Sequence, residues 1–298
     1  MSSLNTELPM NLRKKYVDLR DYLQALGSVV VAFSAGVDST FLLYAAKDAL
    51  GADNVVAATA LSAFIPKREI DEAEEFCKKL GVKHVYAKIK VENIPHYEEN
   101  PVDRCYHCKK FIFTNLLSVA ADENKNVVID GSNADDVGDY RPGMRALEEL
   151  EIKSPLKEVG LTKAEIRELS EFFELPTWNK PAFACLASRI PYGSAITAKK
   201  LGMVEKAENL LLELGFKQFR VRIHGGDERT GTGNVTDAFV ARIELLPENF
   251  ERFMDPVLRE KIYHSFKDFG FAYTSLDLIG YRTGSLNETL GDSEKKNN

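Results

Sequence analysis

The chain lacks any apolar run approaching the ~20 residues that a membrane-crossing helix needs. Met1 to Met10 carry neither a basic stretch nor an apolar one, so no secretory leader is expected and the cytoplasm is the expected location. An excess of positive charge is also missing: 39 Lys and Arg stand against 45 Asp and Glu, a net charge of −6. Nucleic-acid binders gain affinity by neutralising phosphates with clustered cations, so a large polynucleotide partner is disfavoured. There is no internal repeat and no low-complexity tract. Cysteine is scarce, with only Cys77, Cys105, Cys108 and Cys185. In a reducing compartment a Cys-x-x-Cys pair signals metal binding or redox chemistry more often than a disulfide. What is present is a globular composition, 44% hydrophobic and 28% charged, enough for a substantial core in one large domain or two ordinary ones.

Periodicity gives the architecture. Leu12, Tyr16, Leu19, Leu23 and Leu26 recur at helical spacing, and Gly27 suits the cap that ends such a helix. Residues 28–33 form a continuous apolar run, typical of a strand buried on both faces. A helix over 40–50, strand 55–61, helix 67–80, strand 84–89, helix 106–123, strand 126–130 and helix 163–173 continue the alternation. Strands alternating with helices predict an α/β fold with a parallel sheet. After Pro176 the pattern changes. Residues 177–196 read as a structured loop, followed by helix 198–214, strand 218–223, a Gly- and Thr-rich turn at 225–234, strand 238–245, helix 256–269 and strand 272–279. The expected organisation is a domain over 10–176, a smaller α+β domain over 177–290, and a disordered polar tail over 291–298.

The strand ending at Phe33 runs into Ser34-Ala35-Gly36-Val37-Asp38-Ser39 and then a helix. Amides in such a turn and in the first helical turn lack internal partners and can donate to an anion. Gly36 permits close backbone approach, Ser34 and Ser39 offer hydroxyls, and Asp38 is suited to orient the loop or hold Mg²⁺. An ordinary strand-to-helix turn with a capping Ser or Asp is the plainer alternative. The run resembles the PP-loop of the ATP pyrophosphatases, which include NAD and GMP synthetases and tRNA-thiolating enzymes. That resemblance implies ATP binding, with cleavage between the α- and β-phosphates; no Gly-Lys-Ser/Thr follows, so this is not a Walker A loop. Ala35 departs from the commonest form of the motif, which has glycine there. The departure matters if that position needs positive φ.

Asp103-Arg-Cys105-Tyr-His-Cys108-Lys109 opens a helix, where the helix N-terminus, Arg104 and Lys109 favour thiolate. Cys185 lies in the irregular stretch after Pro176. Three thiolates suit a [4Fe–4S] cluster whose fourth iron is open to sulfide. A zinc site with His107, a Cys105–Cys108 redox pair, and Cys185 acting alone are alternatives. Cys77 shares an amphipathic helix face and reads as a buried structural thiol.

Four segments widen the resemblance: Asp130-Gly-Ser-Asn-Ala-Asp-Asp-Val-Gly-Asp-Tyr-Arg-Pro-Gly143, Trp178-Asn-Lys-Pro, Cys185-Leu-Ala-Ser-Arg-Ile-Pro-Tyr-Gly193 and Arg220-Val-Arg222-Ile-His. Together they are similar to the LarE family, over about residues 10–290. That likeness implies an ATP-dependent sulfur transferase that adenylates pyridinium-3,5-biscarboxylic acid mononucleotide. The carboxylates become thiocarboxylates in the nickel-pincer nucleotide cofactor used by lactate racemase. Some members of the family sacrifice one cysteine, leaving dehydroalanine; others are similar but carry three cysteines and a [4Fe–4S] cluster. Cys105, Cys108 and Cys185 resemble the second type, which takes its sulfur from a sulfide source. Homo-oligomers are also implied.

Arg220 and Arg222 alternate on a predicted strand and so face one way, and Ser188 and Arg189 follow Cys185 closely. The guanidinium fork suits phosphate, although a solvated sheet face explains an Arg-x-Arg strand equally well. The LarE resemblance implies the phosphate role. Asp135, Asp136, Asp139 and Arg141 follow a strand end, where ligands of open sheets collect, or are simply loop formers. Glu208, on a predicted helix, reads as a solvated charge. The rival functions are a tRNA-thiolating enzyme, an amide-forming synthetase, and a nucleotide-binding regulator without turnover.

Overall fold

The structure, a computed structural model, describes residues 8–62, 64–136, 142–181, 184–226 and 238–291. Most of the Gly/Thr-rich turn and nearly all of the polar tail therefore lie outside the described residues. The chain divides into two compact units. Unit 1 takes residues 1–95 and 105–183; unit 2 takes 96–104 and 184–298.

Unit 1 is the expected α/β layer structure. Its sheet has the order β3-β2-β1-β4, formed by β1 (Val29–Ala32), β2 (Val55–Leu61), β3 (Lys83–Lys88) and β4 (Val127–Ile129). All pairings are parallel, with Val29 opposite Val55 on one side and Val127 on the other. Val29, Val30 and Val31 are fully buried, which is why this strand reads as an unbroken apolar run. The outer strand β3 instead carries exposed lysines at both ends.

Helix α1 (Met10–Leu26) buries Leu12, Tyr16, Leu19 and Leu23, four positions on one stripe. Burying each leucine contributes roughly 1.5–3 kcal/mol. Gly27 ends the helix at φ +76°, a positive angle that glycine adopts more readily than any other residue, and its amide donates to the Gln24 carbonyl. Helix α2 (Val37–Leu50) is buried on most of its circumference, including Phe41, Leu42, Leu43, Ala45 and Ala46. It begins three residues earlier than the predicted start, because Val37, Asp38 and Ser39 form its first turn. Helix α3 (Lys67–Leu80) is amphipathic and buries Ala73 and Cys77. Helix α4 (Arg104–Asp122) leads to β4. Two short helices, α5 (Pro142–Glu149) and α6 (Pro155–Glu158), were not expected, and α7 (Lys163–Phe172) is opened by a Thr162–Glu165 capping box. Strands are added outward from β1 through β2 to β3 and then on the other side of β1 as β4, so the order of winding switches between β1 and β4, the place where open parallel sheets bind ligands at the strands' carboxyl ends.

Unit 2 is α+β. Its sheet order is β5 (Phe219–His224), β6 (Val240–Leu245), β7 (Tyr273–Leu276), antiparallel then parallel. Helices α8 (Ala198–Glu213), α9 (Phe250–Phe253) and α10 (Pro256–Asp268) accompany it. The stretch predicted as a structured loop contains a 3₁₀ turn at Leu186–Arg189. Strand β7 is half the predicted length, since the chain turns at Asp277, whose carboxylate accepts from the amides of Ile279 and Gly280.

Candidate active site

The loop after β1 is built by short local bonds. The Phe33 amide donates to the Ala58 carbonyl at 2.9 Å, and the Thr59 hydroxyl donates to the Phe33 carbonyl at 2.8 Å, fixing where the strand ends. The Ser34 amide donates to the Ser39 hydroxyl at 3.3 Å, the two hydroxyls lie 3.1 Å apart, and Ser39 donates to the Gly36 carbonyl at 3.2 Å. The two serines thus bracket the turn. Ala35 is 2% exposed and sits at φ +53°, so the position does adopt the left-handed conformation. For an alanine that costs roughly 1–2 kcal/mol. Its carbonyl accepts a hydrogen bond from the Lys180 ammonium at 3.0 Å.

Asp38 lies on the first turn of α2. One carboxylate oxygen pairs with Lys163 Nζ at 2.5 Å and the other accepts from Asn133 Nδ2 at 3.4 Å. The exit of β4 runs so close behind that a Cβ on Gly131 would meet the Ser39 amide nitrogen at 3.1 Å. Beside it, Asp130 is held by the Ser132 and Ser154 hydroxyls, each at 2.5 Å. Asp135 accepts from the Lys163 amide at 2.8 Å, and Asp136 from the Asn133 amide at 2.9 Å. These two aspartates shape the loop and the start of α7. Asp139 and Arg141 lie outside the described residues. Unit 1 therefore brings together the loop, Asp38, Asn133 and Lys163. Nothing local in the sequence marked Lys163.

In unit 2 the side chains are more deeply placed. Cys185 is exposed and precedes the 3₁₀ turn. Its carbonyl accepts from the Ser188 hydroxyl at 2.7 Å and from Arg189 Nη1 at 3.1 Å; the same nitrogen donates to the Ala184 carbonyl at 2.7 Å. The other edge of the Arg189 guanidinium forms a two-pronged pair with Glu208 at 2.8 Å and 2.8 Å. Arg189 and Glu208 are 1% and 0% exposed. The expectation that Glu208 is a solvated charge is corrected: it faces inward from α8, and its second contact is the Val221 amide at 3.1 Å. Burial by itself raises the Glu208 pKa, but Arg189 reverses the effect and the group ends below the usual carboxylate range.

Arg220 and Arg222 do share a face of β5, and that face is buried, not solvated; they are 5% and 6% exposed. Arg222 forks onto Glu244 at 3.0 Å and 3.0 Å, and also donates to the Ser188 carbonyl at 2.7 Å and the Ser285 hydroxyl at 2.7 Å. Arg220 donates to the Phe219 carbonyl at 2.6 Å and lies 5.1 Å from the Tyr281 ring centre. Burial, then the neighbouring Arg189 charge, pulls its pKa down to about 10. The guanidiniums of Arg189, Arg220 and Arg222 thus share one buried region with the carboxylates of Glu208 and Glu244. Ser188, Arg189 and Arg222 are thereby brought around the backbone that carries Cys185.

Comparison with known proteins gives the family. A family model described as NAD synthase matches residues 12–117, a stretch that contains the loop. The chain is 39% identical to an uncharacterized protein of Synechocystis sp. over 94% of this chain and 99% of that one. It is 35% identical to the pyridinium-3,5-bisthiocarboxylic acid mononucleotide synthase of Lactiplantibacillus plantarum, over 94% of this chain and 96% of the other. The chain belongs to the LarE family. A Methanocaldococcus jannaschii protein at 27% identity over 93% of this chain is a more distant relative.

Cys105 and Cys108 stand three residues apart within the first two turns of α4, so both thiols project from one side of it, and both are half-buried. That pair fits shared ligation of one metal group. Cys185 belongs to unit 2. Among the described residues no group of three or more His, Cys, Asp or Glu side chains comes together as a metal site. Arg104 is buried, donating to Asn100 at 2.5 Å and to the Ala187 carbonyl at 3.1 Å. Cys77 is 1% exposed and burial pushes its thiol up to about 12, as a structural cysteine requires. No helix among the described residues is long and apolar enough to cross a membrane.

Proposed function

We propose that this LarE-family enzyme uses ATP to adenylate a carboxylate of pyridinium-3,5-biscarboxylic acid mononucleotide and converts the acyl-adenylate to a thiocarboxylate. The observation that carries the reading is the loop at the β1–β4 switch point, where a left-handed residue meets a helix N-terminus, whose first amides lack partners inside the helix. ATP would place its β- and γ-phosphates on residues 34–39. A substrate carboxylate oxygen attacks the α-phosphorus, and the bond to the bridging oxygen breaks to release pyrophosphate. Lys163 beside Asp38 supplies positive charge for the departing anion, and Asp38 is the carboxylate suited to Mg²⁺. The clustering of Arg189, Arg220 and Arg222 beside Ser188 supports Arg220, with Ser188, as the seat for the nucleotide's own phosphate. Residues 10–176 would then activate, and residues 177–290 would hold the substrate and transfer sulfur, in a cytoplasmic homo-oligomer.

The sulfur has two candidate routes. A [4Fe–4S] cluster on Cys105, Cys108 and Cys185, charged from a sulfide source, would offer a sulfide nucleophile to the acyl carbon as AMP leaves. The exposure of Cys185, with its backbone clamped by Arg189, favours a second reading. There the Cys185 thiolate displaces AMP to form a thioester, and loss of the Cα proton then expels the thiocarboxylate, leaving dehydroalanine. Anaerobic turnover with ATP and the mononucleotide tests the first step: AMP and pyrophosphate are expected, and ADP with orthophosphate would refute it. The mass of the Cys185 peptide afterwards separates the routes, being unchanged for the cluster and lighter by one H₂S for sacrifice.

A further inference from the structure

The Trp178-Asn-Lys180-Pro segment has no part in the scheme above, yet its lysine reaches the phosphate loop. Lys180 is 14% exposed at its side chain, and its ammonium meets three acceptors: the Ala35 carbonyl at 3.0 Å, Glu72 at 2.5 Å and Glu69 at 3.4 Å. Glu69 and Glu72 stand three residues apart on α3 and so form one acidic edge. The segment itself is anchored from α7, where Arg167 donates to the carbonyls of Trp178 at 2.6 Å and Lys180 at 2.8 Å. A long flexible side chain is therefore fixed at both ends. One Glu69 oxygen remains buried without a hydrogen-bond partner among the described residues, so the acidic edge draws its compensation from this ammonium.

From this geometry we propose that Lys180 is a positioning residue of the phosphate loop, which orients the Gly36 amide by holding the Ala35 carbonyl. The physical link is the peptide plane. In a trans peptide the carbonyl oxygen and the amide hydrogen point to opposite sides. An ammonium gripping the Ala35 oxygen thus turns the Gly36 N–H away from Lys180. The grip is needed because Ala35 is left-handed at φ +53°. For an L-residue that conformation is disfavoured by about five- to thirtyfold in population. Without the lysine, Ala35 relaxes to negative φ and the peptide turns over, withdrawing an anion donor. Glycine at this position would have no such preference.

The inference rests on residues 34–39 being the triphosphate seat, and the test separates the two. Calorimetric titration of the full chain with Mg·ATP, without acceptor, is compared for wild type, K180M, A35G and the double variant, with S39A as control. K180M is expected to weaken Mg·ATP binding about tenfold or more while the melting temperature of the protein stays near wild type. In turnover the loss falls on KM for ATP more than on kcat. In the A35G background the same lysine change is expected to cost at least threefold less. An equal loss in both backgrounds would mean that Lys180 touches the nucleotide directly, and overturns positioning through Ala35. If S39A weakens binding and K180M does not, the lysine has no such role. If neither weakens it, the loop is not the seat, and both ideas go. Should K180M not fold, K180R carries the same cycle: it keeps the charge but displaces the donor, and a loss that A35G leaves unchanged again overturns the inference.

Discussion

The two candidate functional regions are made of different materials. In unit 1 the loop is mostly backbone: two serine hydroxyls, a left-handed alanine and a helix N-terminus, with lysines reaching in from α7 and from the segment after it. In unit 2 the site is mostly side chain, with forked guanidinium–carboxylate pairs that are almost wholly buried. A backbone site tolerates most changes around it and fails when one peptide turns. A buried ionic site has strong mutual dependence, since each charge is tolerable only while its partner is present.

Breaking the ionic site should have the largest effect. Glu208→Ala leaves Arg189 buried and unpaired, and roughly 3–5 kcal/mol of stability should be lost, read by urea denaturation followed with a probe in unit 2. Next comes the loop's carboxylate. Asp38→Ala should slow pyrophosphate release by about a hundredfold or more, the scale of losing a group that stabilises developing charge, with little change in the urea midpoint. Retained pyrophosphate release would remove Asp38 from the chemistry.

Acid titration sharpens the contrast, because the two regions carry carboxylates displaced in opposite directions. Glu208 is held below its ordinary range, so its contribution is full above the unfolded value and vanishes as pH falls through the lowered folded value. Burial raises Glu69, against the pull of Lys180, so its contribution is full below the unfolded value and is lost as pH rises through the raised one. Removing each group with Gln should therefore flatten the stability profile at opposite sides of the carboxylate range. Two profiles that flatten on the same side would show the contrast to be wrong. The smallest effect belongs to Ala35→Gly, which relieves the left-handed strain but adds freedom to the unfolded chain. A gain of about 1 kcal/mol or less is expected, visible as a slight rise in melting temperature.

The same contrast explains what the sequence could convey. The loop is six consecutive residues between an apolar strand and a helix, so its motif and its place at the sheet's edge were legible. The partners Lys163 and Lys180 were not, since each reaches the loop from more than a hundred residues away. Helices α5 and α6 are too short for periodicity to show. In unit 2, Arg189 and Glu208 sit 19 residues apart, one of them in an irregular stretch. A signal for Glu208 did exist: Leu201, Val204, Glu208 and Leu211 fall on one helical stripe, and a lone carboxylate among buried apolar residues asks for a cation. For Arg220 and Arg222 the alternation gave the shared face but not its burial, because a sheet face is covered by elements distant in sequence.

Unit 2 takes residues 96–104 from the middle of the other unit's sequence. The Asn100 carboxamide there donates to the carbonyls of Ile190, Pro191 and Ser194 at 3.3, 2.7 and 3.2 Å. A gene fragment starting at residue 184 would encode a protein missing the plug of its own interior. Recombination between relatives at that point would pair one parent's plug with another parent's socket, so the two halves must be inherited together.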